Sequence, residues 1–555
     1  MFIVKVVIVG GVAGGMSAAT RLRRLNESAE IVVFEASPHV SFANCGLPYF
    51  VGGVITERDD LLPQTPQSLY RRFALDVHVN SRVTHIDRDA RIVTVVNTLT
   101  GEERTDSYDA LILSPGAAPR RLEIPGFERA MSLRTVPDAE RIAAAVAGDP
   151  KDVVILGAGF IGIEMAENLF HRGHRVTVVQ SGATILAPFD AEMIETFHRH
   201  LEANGVTIRT GVTATAIGAT ELTLSDGTVL SADIVISSIG VTADHALAVD
   251  AGLRIGDAGG IWVDDHQRTS DPNIYAVGDA AEKHSALTGD DQMVWLANLA
   301  NRHGRQVADV IAGSTVPTRP AITTGIVGAF GMAATITGLS EKAALRSGIA
   351  HDVMHLHPGS HAGYYPGAET LALKVVFDPE TGRILGGQAV GLDGADKRID
   401  VLATAIYAGL TVTDLMNLEL AYSPQYGSAK DPINHAGYIG DNRLSGRTPS
   451  VQWHELGERQ AAGALIVDVR NDVEHDVRSI PGAVHIPVDE LRDRLGEIDA
   501  TDVIVHCKVG QRGHTATQIL RSHGINASNL DGGCLTWRAG MDSLERANSV
   551  SPFTK

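Results

Sequence analysis

Two glycine clusters, each set between a β-branched run and a helical one, constrain this chain more than any other feature. The apolar run 6–9 enters Gly10-Gly11-Val12-Ala13-Gly14-Gly15 and then a helical stretch, 16–25. The run 153–156 enters Gly157-Ala158-Gly159-Phe160-Ile161-Gly162, whose last residues open a helical stretch, 160–171. A further strand follows each helix, at 31–34 and 175–179. Strand, tight turn, helix and strand in that order close as a parallel crossover. Glycines let the turn tighten and let backbone approach a pyrophosphate, whose charge the helix N-terminus holds. The second cluster is a complete G-x-G-x-x-G in the context that motif requires, whereas the first carries Val12 where the second glycine belongs. Two dinucleotide-binding domains in one chain are the expectation.

The remaining nucleotide signals lie where such domains need them. Glu35 stands at the end of the second strand, twenty residues past Gly15, the place for a carboxylate that holds an adenosine ribose. The corresponding place after Gly162 holds Gln180-Ser181-Gly182, with neither the acid that favours NADH nor the arginine that favours NADPH. The absence of a basic residue leans toward NADH and leaves dual use open. The short strand 110–113 ends in Ser114-Pro115-Gly116-Ala117, and the run 274–277 ends in Gly278-Asp279. Asp279 can accept a hydrogen bond from a ribityl chain; its alternative is a helix cap. Asp226-Gly227 marks a hairpin turn between two alternating runs.

Between the two glycine clusters lies Ser41-Phe42-Ala43-Asn44-Cys45-Gly46-Leu47-Pro48-Tyr49, with the only cysteine of the first 506 residues. One isolated thiol flanked by two nucleotide signals suggests electrons passing from a nicotinamide through a flavin to sulfur. Cys45 would do this without a partner thiol in its own loop.

Composition sets the outer limits. A chain of 555 residues suggests three or four domains, and 44% hydrophobic with 20% charged residues is an ordinary soluble balance. A net charge of -19 argues against a nucleic-acid surface, though not against a local basic pocket for phosphate. Three cysteines, Cys45, Cys507 and Cys534, make no secreted disulfide framework and fit a reducing cytoplasm. The apolar run 1–9 lacks a basic n-region and a cleavage site, so it reads as a buried strand. No apolar run reaches membrane-spanning length, and no metal enters the reading.

Together these features resemble the flavin- and nicotinamide-dependent disulfide oxidoreductases over residues 1–440. The Ser41-Phe42-x-x-Cys45-Gly46 loop is similar to that of the single-cysteine branch: coenzyme A-disulfide reductases, NADH oxidases and NADH peroxidases. Its extension Cys45-Gly46-Leu47-Pro48-Tyr49 is most similar to coenzyme A-disulfide reductases and persulfide reductases. Ala13 stands where the peroxidases carry a histidine, which disfavours peroxide reduction.

The resemblance implies FAD at Gly10, Gly14, Gly15, Glu35, Gly116 and Asp279, and NADH or NADPH at Gly157, Gly159, Gly162 and Gln180. It implies Cys45 as redox nucleophile, because a thiolate attacks sulfur and a thiol does not. Asn44 and Ser41 would position sulfur or a pantetheine arm. Arg21, Arg24 and Arg72 would meet the phosphates of coenzyme A, with Asn301 near substrate. Ser360-His361-Ala362-Gly363-Tyr364-Tyr365-Pro366-Gly367 and the segment from Ala421 through Tyr426, Lys430 and Pro432 look like family segments that reach a partner subunit's active site. Tyr365 and Tyr426 are the favoured proton donors, with Tyr364 a close competitor, and Lys430 is a substrate contact. A homodimer follows.

A second resemblance covers residues 450–540. Cys507-Lys508-Val509-Gly510-Gln511-Arg512-Gly513 follows the strand 503–506 and precedes a helix, 515–523. Such a loop makes an anion nest that favours thiolate. Four residues separate Cys507 from Arg512, one fewer than in cysteine phosphatases, and this is similar to the rhodaneses, which carry sulfane sulfur as a cysteine persulfide. Asp468-Val469-Arg470, Ile480-Pro481-Gly482-Ala483 and Asp531-Gly532-Gly533 before Trp537 agree with it. Cys534 either resolves a persulfide on Cys507 or is a small buried hydrophobe.

The fold expected is α/β: two Rossmann-like domains for FAD and NAD(P), an α+β dimerisation domain and a rhodanese-like α/β domain. The FAD domain would take 1–145 and 250–325, the NAD(P) domain 146–249, the dimerisation domain 326–440, a linker 441–449 and the rhodanese domain 450–545. The expected activity is FAD-dependent reduction of coenzyme A persulfide, polysulfide or coenzyme A disulfide by NAD(P)H through Cys45, with sulfane sulfur on Cys507. The alternatives are an oxygen-reducing NADH oxidase and a non-reductive sulfur carrier or persulfide sensor.

Overall fold

The computed structural model describes residues 4–548, so 1–3 of the apolar N-terminal run lie outside it. The described residues form two compact units. One runs to Val178 and resumes over Ala214–Ala321; the other comprises Val179–Thr213 and the chain from Ile322 onward.

In the first unit, Lys5–Val9 is the middle strand of a five-stranded sheet. It pairs in parallel with Glu30–Phe34 on one side and Ala110–Leu113 on the other. Asp76–His78 and Ile274–Ala276 extend the sheet, also in parallel. Val6 and Ile8 enter one apolar cluster while Val7 and Val9 enter another, so both faces are covered. That double burial explains why the strand reads as an unbroken apolar run. The helix Ala13–Leu25 packs on the helix Ala297–Ile311, where a Cβ on Gly304 would lie 2.1 Å from the Gly14 carbonyl oxygen. A second parallel pair, Asp152–Leu156 with Ile234–Ser237, supports the helix Phe160–His171. The hairpin expected at Asp226-Gly227 joins Glu221–Leu224 to Val229–Ser231, with Gly227 at φ +84°.

The second unit holds an antiparallel sheet in the order Thr324–Ala329, Met332–Gly338, Ile384–Gly391, Ala372–Phe377, Asp352–Leu356. The helices Ala395–Ala408 and Ala191–Ala203 contact this sheet. A separate parallel sheet orders Ser450–Val451, Ala527–Leu530, Val503–His506, Leu465–Asp468 and Val484–His485. Apolar clusters containing Val505 on one side and Ile504 on the other sandwich it.

Two expected boundaries move. The stretch 441–449, read as a linker from its polar composition, begins inside the helix Pro432–Leu444. An Asp431/Asn434 capping box and Pro432 in the first turn start that helix, and Gly446 at φ +66° follows its end. The helix expected at 515–523 is Gln511–Ser522, because Gly510 at φ +92° turns the loop sharply enough to start it four residues earlier. Among the described residues, no helix is long and apolar enough to cross a membrane.

Candidate active site

The first glycine turn is built around missing side chains. A Cβ on Gly10, at φ +96°, would sit 2.0 Å from the Ser114 carbonyl oxygen, and one on Gly15 would sit 2.0 Å from that of Gly10. The helix that follows has neither a side-chain cap nor an acidic residue in its first turn, so its N–H groups are available to phosphate. Glu35 accepts from the N–H of Gly11 at 2.7 Å and of Ser37 at 2.8 Å. Each carboxylate oxygen keeps a lone pair for a ribose hydroxyl. Asp279 is paired with Arg134 at 2.7 Å, a partner the sequence did not announce. Gly116, at φ +85°, lies against the same guanidinium. Buried Lys283 donates to the carbonyls of Gly278 and Ala281, pinning the turn that carries Asp279. These groups fit an FAD.

The second turn repeats the construction. Gly157 lies at φ +99° with its virtual Cβ 2.5 Å from the Ser238 carbonyl oxygen, and that of Gly162 falls 2.0 Å from the Gly157 oxygen. Gly159 is the N-cap of Phe160–His171, again with no side-chain cap and no acid in the first turn. Gln180 closes the strand Arg175–Gln180.

The Cys45 loop is tied to the first turn by Ser41, whose N–H donates to the Gly11 carbonyl at 2.7 Å with φ at +52°. Asn44–Gly46 then forms a single 3₁₀ turn leading into the helix Leu47–Gly52. Cys45 is exposed, and its Sγ lies 3.6 Å from the Asn44 side-chain oxygen. Partial desolvation raises its pKa, and the charges of Glu164 and Asp279 raise it further. Glu164 comes from the helix Phe160–His171. Burial pushes its carboxyl up to about 7, against the Tyr49 hydroxyl that donates to it at 3.4 Å. Tyr49 is itself pushed up to about 12, first by burial and then by Glu164. Sequence reading missed Glu164; its signal was a carboxylate two residues past the last glycine of the motif.

Beside this loop a cavity of about 380 Å³ is lined by Ser17, Ser41, Asn44, Gln64, Arg72 and Asn301, among others. Four residues singled out separately from the sequence, Ser41, Asn44, Arg72 and Asn301, therefore share one cavity. Ser17 donates to the Asn301 side-chain oxygen at 2.6 Å. Arg21 is not in the lining; its guanidinium is paired with Asp309 at 2.7 Å. Arg24 stacks over Phe73, whose ring lines the cavity, at 5.1 Å from the centroid.

In the second unit the tyrosines take distinct settings. The hydroxyls of Tyr364 and Tyr422 meet at 3.0 Å, whereas Tyr365 packs edge-on against His361 and Tyr426 stands exposed. Tyr422 lies in the segment 421–432, and its position there announces no role. The hydrogen bond to Tyr422 raises the pKa of Tyr364. Buried Arg398 fixes both loops, donating to Asp431 at 2.8 Å and to the Ser360 carbonyl at 2.9 Å. The Ala362 N–H donates to the Gly427 carbonyl at 3.0 Å. Lys430 is exposed.

Cys507 is fully buried and its Sγ accepts the Gly510 N–H at 3.1 Å. The helix Gln511–Ser522 starts beyond it with no side-chain cap and no acid in its first turn. Arg512 makes a two-pronged ion pair with Glu474 at 2.7 and 2.8 Å. Cys534 is buried too; its N–H donates to the Cys507 carbonyl at 2.8 Å, and burial pushes its thiol up. That environment suits a small apolar side chain.

Residues 4–304 match the pyridine nucleotide-disulphide oxidoreductase family, 327–431 that family's dimerisation domain, and 452–540 the rhodanese-like domain. A coenzyme A disulfide reductase of Staphylococcus aureus is 36% identical over 438 residues, 78% of this chain and 99% of that one. The crystal structure of reduced Bacillus anthracis CoADR-RHD superposes with a TM-score of 0.96 at 42% identity, covering 98% of this chain and 99% of the other. An NAD-dependent persulfide reductase from A. fulgidus gives a TM-score of 0.90 at 34% identity, covering 96% and 100%.

Proposed function

The chain belongs to the pyridine nucleotide-disulphide oxidoreductase family, with a rhodanese-like domain following its dimerisation domain, and from that premise we propose that it reduces coenzyme A persulfide, polysulfide or coenzyme A disulfide at the expense of NAD(P)H. The observation that carries this reading is the Cys45 loop, whose Ser41 and Asn44 line a cavity shared with Arg72 and Asn301. An exposed thiol beside a cavity with a cationic side and amide walls suits a phosphorylated thiol carrier. Bound FAD supplies the two-electron link between the nicotinamide and sulfur.

Cys45 acts as nucleophile. Its thiolate attacks the carrier-side sulfur of the persulfide, displacing hydrosulfide and forming a Cys45–coenzyme A disulfide. Two electrons and a proton then restore the Cys45 thiolate and release coenzyme A thiol. The sum is one persulfide, one NAD(P)H and one proton to coenzyme A, hydrogen sulfide and NAD(P)⁺. Asn44 orients the sulfur, and Arg72 and Asn301 hold the carrier. Glu164, with a pKa of about 7, can hold or give a proton near Cys45 at neutral pH. Tyr364 and Tyr422, rather than Tyr365 and Tyr426, are the hydroxyl pair suited to protonate a leaving thiolate, offered to the Cys45 site of a second copy. The functional unit is then a homodimer, for which the matched dimerisation domain is the support. Cys507 carries sulfane sulfur in its amide nest. Neutral Gln180 selects neither nicotinamide sharply, and free thiols suit the cytoplasm.

The test is anaerobic NADH and NADPH oxidation with coenzyme A persulfide, coenzyme A disulfide or buffer alone, for the wild type and Cys45→Ser. Substrate-dependent turnover lost in Cys45→Ser is the expected result. Turnover that persists in Cys45→Ser, or anaerobic turnover with substrate no faster than in buffer alone, would refute the proposal.

A further inference from the structure

The loop of Cys507 is held in part from outside its own sheet. His355 lies on the edge strand Asp352–Leu356 of the antiparallel sheet, with its side chain buried. Its backbone N–H and its Nδ1 both reach Asp531 Oδ2, at 2.9 and 2.7 Å. Its Nε2 faces Glu192 Oε1 at 3.1 Å. Both ring nitrogens therefore meet carboxylate oxygens, and an imidazole can donate to both only as the imidazolium. Glu192 is anchored in turn by buried Lys374 at 2.5 Å, which also faces Asp190 and Glu341. Arg443 completes the ring of charge around Asp531 at 3.9 Å.

Asp531 opens the turn that supports Cys507. A Cβ on Gly533 would lie 2.6 Å from the Cys507 carbonyl oxygen and 2.7 Å from the Gly510 nitrogen. The N–H groups of Cys534 and Leu535 donate to the carbonyls of Cys507 and Lys508 at 2.8 and 3.1 Å. A Cβ on Gly532 would lie 2.7 Å from the His355 Cβ, and His357 Nε2 meets the Thr536 hydroxyl at 2.8 Å. One face of the 531–536 segment thus touches the thiol loop and the other touches His355 and His357. Nothing in the sulfur chemistry proposed above requires a buried chain of alternating charges here. A buried charge network is costly unless every member is paired, and its best-attested use is to fix one arrangement among several.

We propose that His355 is a positioning residue for the Cys507 loop, its imidazolium bridging Glu192 and Asp531 so that the 531–535 turn keeps the sulfur of Cys507 sealed and aligned on its nest. Sulfur loading and unloading at Cys507 then depends on a contact made by the antiparallel sheet. This inference stands on the geometry of the second unit and does not require that Cys45 reduce a persulfide.

The experiment is timed alkylation of the full-length, flavin-loaded enzyme with iodoacetamide, each cysteine peptide being followed by mass spectrometry. Cys45 serves as the internal reference. In His355→Ala, Cys507 is expected to react about tenfold faster than in the wild type while Cys45 holds its rate, as expected when a charge-assisted hydrogen bond no longer opposes loop opening. His355→Asn, whose amide can replace Nδ1, should fall between the two. If His355→Ala does not fold, Asp531→Asn carries the same expectation. An unchanged Cys507 rate would overturn the proposal. So would equal acceleration of Cys45 and Cys507, which would make His355 a general stabiliser only.

Discussion

Cys45 sits against negative charge of its own chain, and the larger source, Glu164, titrates within the working range. Below about pH 7 the Glu164 carboxyl is largely protonated and does not oppose the thiolate; above it the carboxylate does. Glu164→Gln removes that repulsion. At pH 8 the variant's Cys45 should be alkylated about two- to fivefold faster than the wild type, and at pH 6 the two should converge, as a partly screened charge pair predicts. Convergence at pH 8 as well would show that Glu164 does not face the thiol. Stability carries the same signature with a definite sign. A carboxyl whose pKa is 4.5 when unfolded and about 7 when folded favours the folded state while protonated, so stability falls as pH rises through that window. Glu164→Gln should flatten the fall, read as the difference in thermal midpoint between the two proteins at pH 4.5 and pH 8.

The Tyr364 and Tyr422 hydroxyls meet because two loops are clamped by one buried ion pair, Arg398 with Asp431. Asp431 also accepts from the Ile433 N–H and starts the helix Pro432–Leu444. Asp431→Ala leaves the guanidinium buried and unpaired and the helix uncapped. It should cost roughly 3–5 kcal/mol in denaturant unfolding, with Asp431→Asn costing less; a loss below about 1 kcal/mol would mean the clamp carries no weight. This element also shows what the sequence could reveal. The parallel strands were legible because burial on both faces leaves an unbroken apolar run, and the glycine turns because no other residue fits where Gly10, Gly15, Gly157 and Gly162 stand. Ser41, Asn44, Arg72 and Asn301 were legible from motifs, yet only tertiary packing brings them to one cavity. The ion pair of Arg21 was not legible because its partner, Asp309, lies on a helix far away in sequence. Tyr422 was passed over because spacing along a loop does not say which hydroxyls meet. The linker began too early because polar composition cannot distinguish the last turn of a helix from irregular chain.

At the scale of the whole molecule, the proposal places Cys45 and the tyrosine pair in different copies of the chain. The second unit alone leaves Ile326, Leu392, Tyr407, Tyr422, Tyr426 and Tyr438 exposed, an apolar inventory that a partner surface would cover. A closed two-fold dimer makes two identical sites, each taking its cysteine from one copy and its tyrosines from the other. Cys45→Ser and the double variant Tyr364→Phe/Tyr422→Phe should each be strongly impaired alone. If they are mixed, unfolded and refolded together, half of the dimers are mixed, and each of these has one intact site and one doubly defective site. About a quarter of wild-type activity should return, since only those mixed dimers contribute and each at half strength. If both groups served the same copy, mixing would restore nothing, because no arrangement of the two chains would then assemble a complete site. Sedimentation of the refolded mixture supplies the check on stoichiometry: restored activity should travel with the dimer, and activity recovered in a monomer fraction would overturn the two-copy site.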